Sequence, residues 1–279
     1  MKPQIKQLKL LFTLVCIIAL LLPLVAGAKV SKSERDLILV AHLDMSDDTE
    51  SEFWNKVYTF IESQGIRTAK KHLDAQYRKV HVIQTKTKDK NTKATRDDVI
   101  KLLSKVTGRK GTKAVDVIWM THGHPKGKIS LQKPSGGGNT KFSVGEQLAP
   151  KIKSAIGKTG QQKLRVLYST ACFGASAIEG WRSVGFKVVS GGRKVYTDSA
   201  SSQPKFLKAW KKGKSFKNAV ANANRAQKVD FWDKLLALSK RYKKDDLDSY
   251  RELKGKGCIA IDSNPGMKCK KNKKNKKNK

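Results

Sequence analysis

Five apolar blocks of strand length, each followed by a segment of helical periodicity, constrain this chain more than any other feature. They run from Asp36 to His42 (DLILVAH), Val80 to Gln84, Ala114 to Met120 (AVDVIWM), Leu164 to Thr170 (LRVLYST) and Phe186 to Val189. A strand that is apolar at every position must be covered on both faces, which is the condition of a parallel sheet. The alternation predicts an α/β fold with a mostly parallel central sheet and helices on both faces. In such sheets reactive groups gather at the carboxyl ends of the strands, where the loops converge.

The helical segments give the layers. A helix from about Glu50 to Gln64 carries Phe53, Trp54, Val57, Phe60 and Ile61 on one face, expected to be core. Thr95 reads as an N-cap, with Asp97 and Asp98 in the first turn and Val99, Ile100, Leu102, Leu103 and Val106 as the buried stripe before Gly108. A hairpin, KGKISLQ, leads through Gly136-Gly137-Gly138 to a helix over Val144 to Ile156. Another helix carries Ala175, Ile178 and Trp181. After it, Phe206, Leu207 and Trp210 precede Gly213, and Phe216, Ala219, Val220 and Ala223 begin a pattern that runs on to Leu238. Cys258 to Ile261 is expected as the last strand.

The two ends differ from this body. Lys2, Lys6 and Lys9 precede an apolar run from Leu10 to Val25 that closes in Ala26-Gly27-Ala28, the pattern of a secretory signal peptide cleaved after Ala28. The run is short for a bilayer span of about 20 residues, so no membrane span is expected after cleavage. Cys16 follows Val15 rather than a small residue, a poor match to a lipoprotein box. The expected organisation is a signal peptide over 1–28, a short linker over 29–35, one domain over 36–262 and a disordered Lys/Asn-rich tail over 263–279. Localisation is expected to be secreted or periplasmic.

Net charge is +36, from 59 Lys and Arg against 23 Asp and Glu. Such a surface attracts anionic polymer, with the lysine-rich tail as an adhesion arm, and allows non-specific contact with nucleic acid. The tail lacks the interleaved aromatics of single-strand platforms. In an oxidising compartment Cys258 and Cys269, with the turn Asn264-Pro265-Gly266 between them, suit a small disulfide loop, leaving Cys172 as an odd thiol.

Two reactive side chains stand just past two successive apolar strands, His122 after the third and Cys172 after the fourth. If the strands are neighbours, both side chains share one crevice. A nearby imidazole and a helix opening at Cys172 would both favour the thiolate, the form that attacks a carbonyl. These residues resemble the caspase-like cysteine peptidases of clan CD, which include caspases, legumains, gingipains and clostripain. The resemblance rests on VDVIWMTHG, with His122 and Gly123, and on LRVLYSTAC, with Ala171 and Cys172. His122 stands about 50 residues before Cys172, the caspase separation, and T-A-C-F-G keeps the Ala, Cys and final Gly of the caspase context while Thr170 and Phe173 depart from it. The segment from Phe206 to Arg225 is similar to the helix-Gly-helix segment of bacterial members.

The resemblance implies a caspase-haemoglobinase-like sandwich in an exported bacterial member. It implies a cysteine endopeptidase in which Cys172 is the nucleophile, His122 donates a proton to the leaving amine, and the N–H groups of Gly123 and Cys172 form the oxyanion hole. No third acid and no cofactor are required, and the substrate is a polypeptide. In the branch that cuts after Lys or Arg, acids line the pocket. Asp198 is favoured for that wall, and Asp44, Asp47 and Asp48 follow the first strand. His122 and His124 have no carboxylate or cysteine at ligand spacing, so a zinc site is not expected. Two other readings stay open: a caspase-like domain without activity that serves as a basic binding module, and a structural domain whose tail is an adhesin.

Overall fold

The structure, a computed structural model, describes residues 29–43, 52–85, 93–135, 138–196, 199–227 and 247–269. The export signal, Asp44, Asp47, Asp48, Asp198, the helical pattern toward Leu238 and the lysine tail after Cys269 lie outside the described residues.

The five apolar blocks form parallel strands β1 (Arg35–His42), β2 (Lys79–Gln84), β3 (Ala114–Thr121), β7 (Leu164–Ser169) and β8 (Val188–Gly192). A sixth strand, β9 (Arg251–Gly255), joins β8 antiparallel, and the order across the sheet is β2-β1-β3-β7-β8-β9. Along the chain between β3 and β7, a separate small antiparallel sheet forms from β4 (Gly123–His124), β5 (Lys128–Gln132) and β6 (Asn139–Ser143). Every residue of β1, β3 and β7 is buried, as their predominantly apolar character leads one to expect, and the charged residues among them, such as Asp116 and Arg165, are buried with partners.

Successive side chains of a strand point to opposite faces, so each strand feeds two cores. Ile38 and Val40 of β1 pack with helices α2 (Arg96–Gly108), α3 (Ala149–Lys163) and α4 (Ile178–Val184), around Trp119 and Trp181. Leu37, Leu39 and Ala41 pack with α1 (Glu52–Leu73), α5 (Ser199–Lys211) and α6 (Phe216–Arg225), around Phe206, Trp210 and Phe216. Burying one such side chain contributes roughly 1.5–3 kcal/mol. Among the described residues no helix is long and apolar enough to cross a membrane.

Local signals explain several helix ends. Thr95 caps α2 by accepting from the Asp98 N–H at 3.2 Å, with Asp97 and Asp98 in the first turn. The segment expected as one helix from Val144 begins as a π-helical turn, Val144–Leu148, and α3 breaks at Gly157, whose φ is 60°.

Three expectations are corrected. Helix α1 continues to Leu73, and its buried residues are Glu62, Ile66, Ala69 and Leu73, while Phe53 and Phe60 are 64% and 61% exposed. Its core contact is made by the later turns, where Gly65 allows close approach to the Met120 side chain. The last strand is Arg251–Gly255 rather than Cys258–Ile261. Ile259 and Ile261 are buried, but as turn residues plugging the core beside α6. Finally, no α-helix opens at Cys172: Phe173 has φ 51°, a 3-10 turn follows at Gly174–Ala177, and α4 starts only at Ile178.

The edge of the sheet away from the strands' carboxyl ends is closed by buried charge. Arg165 donates to Asp116 from Nε at 3.0 Å and Nη2 at 2.5 Å, and its Nη1 donates to the carbonyls of Ile261 and Ser263. Tyr77 donates to Asp116 at 2.6 Å and accepts from Trp210 Nε1 at 2.8 Å. Arg35 bonds the carbonyls of Val30 and Ile261, and the Val30 N–H donates to Asp262. The packed domain therefore reaches back to Val30. Cys258 and Cys269 form a disulfide, with Cα atoms 5.8 Å apart, which carries the packed chain past Asp262 to Cys269.

Candidate active site

Strands β3 and β7 are adjacent and parallel, with Val117, Ile118 and Trp119 in register with Leu167, Tyr168 and Ser169. Their carboxyl ends lie at the same edge, and the Thr170 N–H donates to the Trp119 carbonyl at 2.8 Å just before both chains leave the sheet. The pairs His122-Gly123 and Ala171-Cys172 follow directly.

Gly123 measures how close these segments come. A Cβ on Gly123 would fall 1.9 Å from the Cys172 carbonyl oxygen and 2.9 Å from the Ala171 Cβ, so no larger residue fits. The Cys172 loop turns sharply through Phe173, whose N–H donates to the Lys194 carbonyl at 2.7 Å. Gly191 at the end of β8 allows the loop to lie against it, because a Cβ there would fall 2.3 Å from the Gly174 carbonyl carbon. No backbone carbonyl among the described residues accepts from the Cys172 N–H.

The half-buried sulfur of Cys172 accepts from the Tyr196 N–H at 3.3 Å. Burial pushes its thiol pKa up, and backbone hydrogen bonds from Tyr196 and Cys172 itself oppose the rise. With no α-helix N-terminus at the sulfur, the resting group is the neutral thiol at neutral pH. This reverses the sign expected from a helix opening at Cys172.

The His122 imidazole places Nε2 3.0 Å from the Leu43 carbonyl oxygen. A carbonyl only accepts, so Nε2 carries the hydrogen. The Tyr58 ring stands edge-on to the imidazole, with centroids 4.8 Å apart. His124 lies on β4 with its Nε2 2.8 Å from Ser130 Oγ. Among the described residues no group of three His, Cys, Asp or Glu could hold a metal ion.

Beneath the Cys172 loop lies Arg251, 2% exposed, which donates to the Ser169 carbonyl and is sandwiched between the rings of Tyr168 and Tyr196 at 4.1 and 4.2 Å. It thereby ties β9 to the end of β7 and to the residue whose N–H meets the sulfur. Leu43, Tyr58, Tyr196 and Arg251 were not singled out in the sequence, because each reaches the site from a different element with no motif around it.

A mostly parallel sheet flanked by helices, with His-Gly and Ala-Cys meeting at one edge, defines a caspase-like α/β fold. Caspase-1 from Spodoptera frugiperda superposes with a TM-score of 0.54 at 13% identity, covering 84% of this chain and 92% of that one. The Drosophila initiator caspase Dronc gives 0.45 at 13% identity, over 87% of each chain. A secreted C11 cysteine protease from Bacteroides thetaiotaomicron, in complex with an irreversible peptide inhibitor, gives 0.44 at 8% identity, covering 80% of this chain and 66% of that one. No protein-family model and no curated protein sequence matches the chain, so the likeness is one of fold.

Proposed function

We propose that the chain is an exported cysteine endopeptidase acting through His122 and Cys172. The observation that carries this reading is the backbone contact at Gly123, which joins the segments bearing the two side chains at one sheet edge. As the Cys172 sulfur attacks the scissile carbonyl carbon, the S–H bond breaks and its proton passes to His122 Nδ1 while the C–S bond forms. The N–H groups of Gly123 and Cys172 receive the charge that develops on the carbonyl oxygen. The C–N bond then breaks as His122 gives its proton to the leaving amine, and water hydrolyses the thioester to release the acid and restore the thiol. Because Nε2 is committed to Leu43, Nδ1 is the nitrogen that exchanges the proton.

Cleavage after Lys or Arg is part of the proposal. It is supported by Asp198, two residues along the chain from Tyr196, whose N–H contacts the sulfur. Asp44 and Asp47 follow Leu43, the residue bonded to His122. Export is supported by the N-terminal pattern and by the Cys258–Cys269 disulfide, which suits an oxidising compartment. The lysine-rich tail serves contact with anionic surfaces.

The raised thiol pKa favours one competing reading, an inactive basic binding module. Incubation of the purified protein with peptide libraries separates the two. Specific cleavage is expected, with a loss on the order of 10⁴-fold or more in Cys172→Ala. Identical products from both proteins would end the peptidase reading.

A further inference from the structure

The site contains a buried carboxylate bonded to the residue whose carbonyl meets His122. Glu62 on α1 is 7% exposed, and three donors converge on it. The Leu43 N–H donates to Oε2 at 2.8 Å, the Thr85 N–H to Oε1 at 3.1 Å, and the Thr85 hydroxyl to Oε2 at 3.1 Å. Glu62 thus ties together the chain just past the ends of β1 and β2. Leu43 is the residue whose carbonyl oxygen lies 3.0 Å from His122 Nε2. Tyr58, four residues earlier and so on the same helical face as Glu62, sets its ring against the same imidazole.

We propose that Glu62 is a positioning residue for His122, fixing Leu43 so that its carbonyl holds the Nε2–H while Tyr58 sets the plane of the ring. The proposal rests on the reading of His122 as proton donor. A general acid must be oriented as well as protonated, and here the orienting group is a backbone carbonyl, which acts well only if its own residue is held. Leu43 lies beyond the last ladder pair of β1 with β3, His42 with Thr121, so the sheet does not hold it. Glu62 does.

The chemistry asks for a carboxylate in particular. The three donors among the described residues engage both oxygens, and a carboxylate accepts on both. A glutamine would turn an NH2 group toward a donor and leave a buried group unpaired. Among the described residues, the titratable groups beside this network include His42, whose Nδ1 lies 2.7 Å from the Thr85 hydroxyl and whose Nε2 bonds Asn139, Tyr58 beside the imidazole, and Cys172 on the neighbouring loop.

The test compares the purified protein with Glu62→Gln and Glu62→Asp, reading kcat and KM on a cleaved peptide and the ¹⁵N resonances of the His122 ring. Glu62→Gln is expected to lower kcat on the order of 10–100-fold, since small misplacements of a catalytic group have effects of that size, with KM changed by less than about twofold. The His122 resonances should lose the preference for the Nε2–H tautomer, and Glu62→Asp should recover part of both effects. An unchanged kcat together with unchanged His122 resonances in Glu62→Gln overturns the proposal. Should the wild-type protein cleave no peptide, the peptidase reading fails on its own, while the ring spectra still decide the role of Glu62. If Glu62→Gln does not fold, Thr85→Val removes one donor and keeps the carboxylate. A shift of the His122 resonances in that variant supports the proposal, and no shift overturns it.

Discussion

Gly123 is the residue on which the geometry of the site turns. Its missing side chain lets the peptide after His122 lie against the Cys172 carbonyl, where a Cβ would sit at 1.9 Å. Gly123→Ala must therefore push the two loops apart, and the expected outcome is at least about a tenfold loss in peptide cleavage. Cleavage within twofold of wild type would show that the contact has no role. Cys172 carries a second expectation, because burial raises its pKa above that of a free thiol, about 8.5. The reactive thiolate is then scarce at neutral pH and grows as pH rises through the raised value. Iodoacetamide should accordingly label Cys172 more slowly than free cysteine at pH 7, with a rate still climbing above pH 8.5, which mass spectrometry over a pH series will show. A rate already level by pH 7 would mean that the sulfur is held as thiolate. That His122-Gly123 and Ala171-Cys172 leave neighbouring strands at one sheet edge was legible in sequence, because each follows a mostly apolar block of strand length. Glu62, Tyr58 and Tyr196 were not, because their relevance depends on which elements pack together.

At the scale of elements, the parallel strands could be read from the chain because burial on both faces leaves runs of apolar residues at their centres, with few polar positions to blur them. Strand β9 could not. Its sequence, RELKG, is polar, and its buried residue is an arginine held by two tyrosine rings rather than an apolar side chain. The buried face of α1 was misplaced for a related reason: the stripe of Phe53, Trp54, Val57, Phe60 and Ile61 has helical spacing, yet the sheet is met by Ile66, Ala69 and Leu73. Tyr58 and Glu62, in the middle of this helix, face the site instead. At the other edge of the sheet, Arg165 joins Asp116, Tyr77 and the turn at Ile261, linking β3 and β7 to the C-terminal segment. Arg165→Leu leaves Asp116 buried without its cation and should lower unfolding free energy by about 3–5 kcal/mol in urea titration. A loss under about 1 kcal/mol would mean that the pair contributes little.

The whole molecule makes the site by folding, since two segments about 50 residues apart in sequence meet only because β3 and β7 are neighbours in the sheet. The net charge of +36 acts at the same scale and draws anionic molecules to the surface generally. A test of the site must therefore separate chemistry from attraction, and raised salt does so, because the Debye length falls to about 3 Å at 1 M. The most direct measurement is the rate at which a peptidyl electrophile ending in lysine or arginine modifies Cys172 at high salt, followed by intact mass, in wild type and in His122→Ala. The expected result is one adduct, at Cys172, formed at least about tenfold faster in wild type. Equal rates in the two proteins, or no adduct at Cys172, would contradict a shared His122–Cys172 site.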